Sequence, residues 1–181
     1  SRRGPIAFDA LPVDIALTWA DTSSTIAALA LHNDAARTFT TRDGPVRLTG
    51  LAATPNLFDV LGTRPFAGRI FDDDGDLRQV VLSHRTWLQQ FAVDLAVVGA
   101  ILPLDGQPYR ITGVMPDGFD FPTPETAFWV PVALSPGSSR GMILPAVARL
   151  HPGATPAAAA EEGQRHLAPD MGRERATLIV R

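Results

Sequence analysis

An α+β fold is predicted for this chain of 181 residues, with helices laid on sheet faces. Three observations predict it. Asp43-Gly44 and Asp105-Gly106 each sit between strand-like runs and mark tight hairpins. A buried strand running straight into an aromatic helix reads over residues 79–91. A helix start at Thr155-Pro156 is followed by a last strand-like run at residues 177–180. Hairpins, strand–helix units and a terminal helix–strand pair in one chain make the order mixed and not the strict alternation of a parallel α/β fold.

The elements follow in chain order. Residues 10–31 are apolar, and Ser23-Ser24 before Ile26 either open a helix or lead into a strand. Thr38 to Thr41 are β-branched or aromatic, and Val46 to Thr49 alternate apolar with polar, so Asp43-Gly44 joins two strands. Thr54-Pro55 reads as an N-cap with proline at the first helical position. Leu57, Phe58 and Leu61 then share a face, and Gly62 stands where a helix-ending glycine belongs. Gln79 to Ser83 read as a buried strand whose Ser83 caps a helix carrying Trp87, Leu88 and Phe91. Val97 to Leu104 and Tyr109 to Val114 flank the turn at Asp105-Gly106. Met115 to Phe119 form a turn, Phe128 to Pro131 a short strand, residues 135–141 a loop and Ile143 to Leu150 a further strand. A helix follows from Thr155 to about residue 168, with Ala157 to Ala160 as strong helix formers.

Composition excludes several functions. The chain is 45% hydrophobic and 19% charged, which suits a globular domain with a sizeable core or two small subdomains sharing one. Net charge is −3 without a basic stripe, so nucleic acid is not an expected partner. There is no cysteine, which removes disulfides, thiol nucleophiles and thiolate metal sites. All sixteen basic residues are arginine, so neither a P-loop lysine nor a Schiff-base amine exists in the chain. No apolar run reaches the ~18 residues that a membrane span needs. The N-terminus, Ser1 to Pro5, lacks the apolar core of a signal peptide. The strand-like residues 176–180 run straight into Arg181, as in a piece cut from a longer chain.

Candidate chemistry is sparse. Asp72-Asp73-Asp74-Gly75-Asp76 is the densest carboxylate cluster, but its spacing is not that of a calcium loop, and a solvated acidic loop is favoured. Ser83-His84 lacks the G-x-S-x-G elbow, and adjacent residues at a helix start point apart, so Ser83 is read as a cap. His32, His84, His151 and His166 lie on separate elements without the i, i+4 spacing of a zinc helix. Arg69 is read as a structural tie to a carboxylate or to carbonyls at a lobe junction. The aromatics Trp87, Phe91, Phe119, Phe121, Phe128 and Trp129 are expected mostly in the core, any exposed subset marking a partner or lipid-facing patch. No catalytic, cofactor-binding or metal-ligating residue is assigned, no cofactor is expected, and the chain is not read as an enzyme.

Four ordered blocks carry a family resemblance. They are Phe58, Leu61-Gly62, Pro65 and Gly68-Arg69; then Val80 to Ser83 with Trp87 and Phe91; then Gly99, Asp105-Gly106, Gly113 to Pro116, Gly118-Phe119 and Pro122; then Trp129 to Pro131. A strand-to-helix junction, Arg149-Leu150-His151-Pro152-Gly153-Ala154-Thr155, closes the set. Over about residues 37–168 this order resembles the MacB-like periplasmic core domain of FtsX-like ABC transporter permeases, whereas residues 1–36 match poorly. The ungapped Gly-Arg and Leu-Ser-x-x-x-Trp blocks are most similar to the large permease group often found without an obvious partner ATPase.

The resemblance implies a two-lobed module. A porter-like lobe from both chain ends, residues 1–70 plus 142–181, would carry a smaller mixed α/β lobe, residues 71–141, inserted between them. It implies a domain held on the periplasmic side of the inner membrane between the first two membrane helices of a permease. There it would couple ATP-driven motion to substrate export or to a partner. The implied partners are a cytoplasmic nucleotide-binding subunit, a periplasmic adaptor or substrate, and a second permease copy. Two rival functions stand beside it. A soluble binding module would hold a hydrophobic or lipidated ligand in a cleft between the lobes. A carboxylate hydrolase would need two inward-facing acids in one cleft, and no such pair is evident.

Overall fold

A computed structural model describes residues 4–71 and 75–169. The elements run β1 (Ile6–Pro12), α1 (Val13–Thr22), β2 (Ile26–Thr41), β3 (Gly44–Ala53), α2 (Leu57–Leu61), β4 (Ala67–Gly68), β5 (Gln79–Leu82) and α3 (His84–Gln90). A 3-10 turn (Leu95–Val97) then precedes β6 (Ile101–Leu104), β7 (Gln107–Val114), β8 (Phe128–Pro131), β9 (Ile143–Leu150) and α4 (Pro156–Leu167). The α+β order expected from sequence is the order found, and the apolar stretch 10–31 resolves into both of its options. Helix α1 comes first, and Ser23-Ser24 end it and lead into β2. The strand-like residues 177–180 lie outside the described residues.

By contact the chain divides into two compact units. The first holds residues through His32, Asp59–Gly62 and those from Leu134 onward; the second holds Asn33–Phe58 and Thr63–Ala133. Residues 33–58 and 63–70 thus group with the inserted segment. The physical reason is pairing: β3 runs parallel to β8, with Leu51 beside Trp129 and Ala53 beside Pro131.

In the first unit β9 is the middle strand, antiparallel to β1 on one side and to the start of β2 on the other. Helices α1 and α4 pack together and cover this sheet. Phe8, Leu11, Val13, Trp19, Ile26, Leu31, Ala146 and Ala159 form a continuous core, with the Phe8 and Trp19 rings edge to face at 5.5 Å. Thr155 caps α4 through its hydroxyl, which accepts from the Ala158 N–H at 3.1 Å. Pro156 occupies the first turn, where a missing N–H costs nothing.

In the second unit the sheet closes on itself. The path is β2, β3, β8, β5, β7 and β6, and β6 returns to β2 at Leu104 opposite Phe39. Closure leaves the ring without the open edges that invite mispairing. Phe39, Val80, Leu82, Ile111, Phe128 and Val130 fill it. β5 and β8 are buried at every position, which explains their unbroken apolar runs. Asp105 and Gly106 take φ of 50° and 77°, the left-handed pair of a two-residue hairpin turn.

Asp105 also clasps the ring. Its N–H donates to the Thr38 carbonyl at 2.9 Å, and its Oδ1 accepts from the Thr38 N–H at 2.8 Å. Arg37 and Arg47 stand 3.6 and 3.7 Å from the same carboxylate.

Several family-signature residues prove to be backbone geometry. Phe58 packs against Phe71, Phe119 and Trp129 at 5.4–6.0 Å between ring centres. Gly62 (φ 71°) ends α2, its N–H donating to the Asp59 carbonyl and the Thr63 N–H to that of Phe58, the paired bonds of a Schellman ending. Arg149 donates from Nε to the Val60 carbonyl at 3.0 Å, placing a cation at the C-terminal end of α2. Gly68 pairs with Gly113 across β4 and β7. A Cβ on Gly68 would lie 2.2 Å from the Thr112 carbonyl, and one on Gly113 2.2 Å from that of Arg69. Helix α2 starts two residues later than Thr54-Pro55 suggested, because these residues form a turn in which the Leu57 N–H bonds the Thr54 carbonyl at 3.1 Å.

Candidate functional site

A recess of the second unit lies where α3 begins. Ser83 follows the buried strand β5 and stops it, its N–H donating to the Ala127 carbonyl at 3.0 Å. Its hydroxyl accepts from the Thr86 N–H at 3.1 Å and donates to the Thr86 hydroxyl at 2.9 Å, so α3 is capped as expected. The segment 115–126 arches over this start. Met115 donates to the Leu82 carbonyl at 2.8 Å, and Pro116 to Phe119 make a turn closed at 3.2 Å. Arg85 reaches across through Nη2 to the Pro124 carbonyl.

Between them is a recess of about 150 Å³ lined by Ser83, His84, Arg85, Asp117, Phe119 and Asp120 among others. His84 Nδ1 faces Asp117 Oδ1 at 3.9 Å. Glu125, between the lining residues Pro124 and Thr126, is held below the usual carboxylate range, first by a hydrogen bond from Thr123, then by its own backbone N–H, with Arg85 adding attraction. The outer face of His84 carries an apolar extension. The Phe66 ring stands edge to face with His84 at 5.6 Å and packs on Trp87 at 5.6 Å, yet 54% of Phe66 is exposed. Leu88, one turn beyond His84 on α3, is also exposed.

In this arrangement no nucleophile is poised on a base. Ser83 is committed to Thr86, and His84 is directed to Asp117. The volume is well below the ~300 Å³ at which small-molecule pockets begin, and it suits a single side chain.

The other residues singled out in the sequence scatter. Asp72 to Asp74 lie outside the described residues. Asp76 accepts from the Arg78 N–H at 2.8 Å, and its carbonyl accepts from Gln79 Nε2 at 2.8 Å. His32 ends the part of β2 that belongs to the first unit, His151 follows β9, and His166 lies on α4 against Trp19 at 6.2 Å. Among the described residues no group of three or more His, Asp or Glu is arranged to hold a metal ion. The Arg69 N–H donates to the Thr112 carbonyl at 2.8 Å. Trp87, Phe128 and Trp129 are buried, while Phe91, Phe119 and Phe121 are half-buried. Among the described residues no helix is long and apolar enough to cross a membrane.

Sequence reasoning passed over two residues. Phe66 sits between Pro65 and Gly68, and its exposure has no local sequence signal. Glu162 is 92% buried on the inner face of α4, beside Ala159 and Gly163. Its carboxylate accepts from Trp19 Nε1 at 3.1 Å, the Ser23 hydroxyl at 2.5 Å, the Ser24 N–H and hydroxyl at 2.9 and 2.7 Å, and the Thr25 hydroxyl. Burial pushes its pKa up, but the hydrogen bonds from Ser23, Thr25 and Ser24 outweigh this and hold it well below the ordinary range. A glutamate at the apolar spacing of α4 was the signal available for it.

Residues 4–165 match the family of MacB-like periplasmic core domains. The fold is similar to that of the periplasmic region of MacB from Actinobacillus actinomycetemcomitans, at a TM-score of 0.74 and 17% identity, covering 98% of this chain and 88% of that one. It is also similar to a permease-protein domain from Porphyromonas gingivalis, at a TM-score of 0.70 and 16% identity, covering 99% and 88%. A third similar structure is the extracellular domain of the noncanonic ABC-type transporter YknZ from Gram-positive bacteria, at a TM-score of 0.63 and 17% identity, covering 92% and 94%. Comparison with curated proteins finds no match.

Proposed function

Because the chain belongs to the family of MacB-like periplasmic core domains, we propose that it is the extracytoplasmic part of an ABC-type permease and transmits ATP-driven membrane motion to a substrate or partner outside. The observation that carries this reading is the placement of the first and last described elements. β1 is hydrogen-bonded along β9, and α4 packs on α1, so the first and last described elements share one unit. Movement of membrane helices passed on through those elements would then act on one body. In this reading the domain is a coupler without catalysis of its own. It works with a cytoplasmic ATPase subunit through the membrane helices, in a permease that pairs with a second copy and engages an adaptor or substrate outside.

The test uses the full-length permease in cells. The chain has no cysteine, so Ile143→Cys, at a 63% exposed position, gives it one thiol. A membrane-impermeant maleimide is expected to label that thiol from the extracytoplasmic side. The labelling rate is expected to change when the partner ATPase is inactivated. Labelling only after the inner membrane is permeabilised would overturn the location. A rate indifferent to ATPase activity would overturn the coupling.

A further inference from the structure

The structure points to the recess at the start of α3, together with the Phe66–Leu88 face, as one docking site for a protein segment that carries a cationic side chain next to an apolar one. The two halves meet at His84, which lines the recess on one side and supports Phe66 on the other. Phe66 is an aromatic anchor held from below by Trp87, which is buried and tied through Nε1 to the Asp94 carbonyl at 3.0 Å. Interfaces favour such rigid aromatic anchors beside a polar rim.

The choice of occupant follows from charge and size. Asp117 and Asp120 present exposed carboxylates to the recess. The one lining arginine, Arg85, is drawn to the Pro124 carbonyl and toward Glu125. The two lining carboxylates outnumber the one lining arginine, and that balance complements a guanidinium or ammonium group. About 150 Å³ is room for one such side-chain head. Acidic groups beside the apolar face also disfavour an anionic lipid surface. The proposal deepens the partner part of the functional reading, but its test uses this chain without the permease, so the two fail separately.

The experiment is an NMR titration of the ¹⁵N-labelled chain with acetyl-Leu-Arg-amide and acetyl-Leu-Lys-amide, against acetyl-Leu-citrulline-amide and acetyl-Leu-Glu-amide. Amide shifts are expected at residues 84–88 and 117–120 with both cationic peptides and not with the other two. Asp117→Asn with Asp120→Asn is expected to weaken binding about tenfold. Phe66→Ser, a change at an exposed position, is expected to weaken it similarly while the spectrum stays dispersed; Leu88→Ser serves as a second apolar variant. Equal binding of the citrulline peptide would overturn the charge argument. Absence of localised shifts with every peptide would overturn the site. Sedimentation with phosphatidylcholine vesicles that is lost in Phe66→Ser would assign the apolar face to a membrane instead and overturn the protein partner.

Discussion

Replacing Glu162 tests how the first unit is locked. The carboxylate gathers donors from α1 and from the turn Ser23 to Thr25, far away in sequence. In Glu162→Ala the hydroxyls can turn elsewhere, and the Thr25 N–H retains the Ser23 hydroxyl at 3.1 Å. The Trp19 indole N–H and the Ser24 N–H lose their acceptor. Two orphaned donors at about 1–3 kcal/mol each, softened by water reaching the half-exposed turn, give an expected loss of about 2–4 kcal/mol. Glu162→Gln keeps one acceptor oxygen but turns an amide N–H₂ toward donors, for an expected loss of about 1–2 kcal/mol.

The pH dependence has a definite sign. The folded pKa lies below the ordinary 4.5, so the stabilisation is fully present above that value and is lost as pH falls below it. Urea unfolding followed by far-ultraviolet circular dichroism at about pH 7 and about pH 3 reads both effects. The gap between the parent chain and Glu162→Gln should shrink at the acid end. A Gln variant as stable as the parent at neutral pH, or a gap that does not change with pH, would refute the reasoning.

Four further substitutions at three positions probe the second unit, each read by the same unfolding assay. Among the described residues Thr112 Oγ1 is a buried side-chain atom with no hydrogen-bond partner, at a register shift between β7 and β5; Thr112→Val should therefore stabilise by about 1 kcal/mol, and a loss of that size would show the hydroxyl is satisfied. Asp105→Ala should cost about 2 kcal/mol, through the lost acceptor for Thr38 and the left-handed φ, whereas Asp105→Asn should cost under ~0.5 kcal/mol. The half-exposed arginines add little to that figure, so raising salt should leave it nearly unchanged. Gly113→Ala should cost at least ~3 kcal/mol because its Cβ would meet the Arg69 and Ala67 carbonyl oxygens at 2.2 and 2.9 Å, and a near-neutral result would mean that β4 is free to move away.

What could be read from sequence is what is decided within a few residues. Ser83 and Thr155 are caps because their hydroxyls reach an N–H three residues on. Asp105-Gly106 is a tight turn because both residues tolerate positive φ. The ordered Gly, Pro and aromatic blocks identify the family, and the structure shows what they do here: Gly62 ends a helix, Gly68 and Gly113 let two strands touch, and Phe58 anchors an aromatic cluster. The stretch 10–31 stayed ambiguous because apolar runs of that kind suit a buried helix and a buried strand alike.

The sequence by itself therefore determined the α+β class, most of the elements, the family, and the exclusion of thiol, P-loop and Schiff-base chemistry. Only the tertiary structure decided that β6 returns to β2 and closes a ring, that Glu162 meets Trp19 across 143 positions, and that Phe66 stays outside while Trp87 goes in. The physical reason is range. Capping and turn chemistry act over three or four residues and leave a local mark. Burial and long-range hydrogen bonds depend on which surfaces the topology brings together, and no local pattern around Glu162 or Phe66 encodes that.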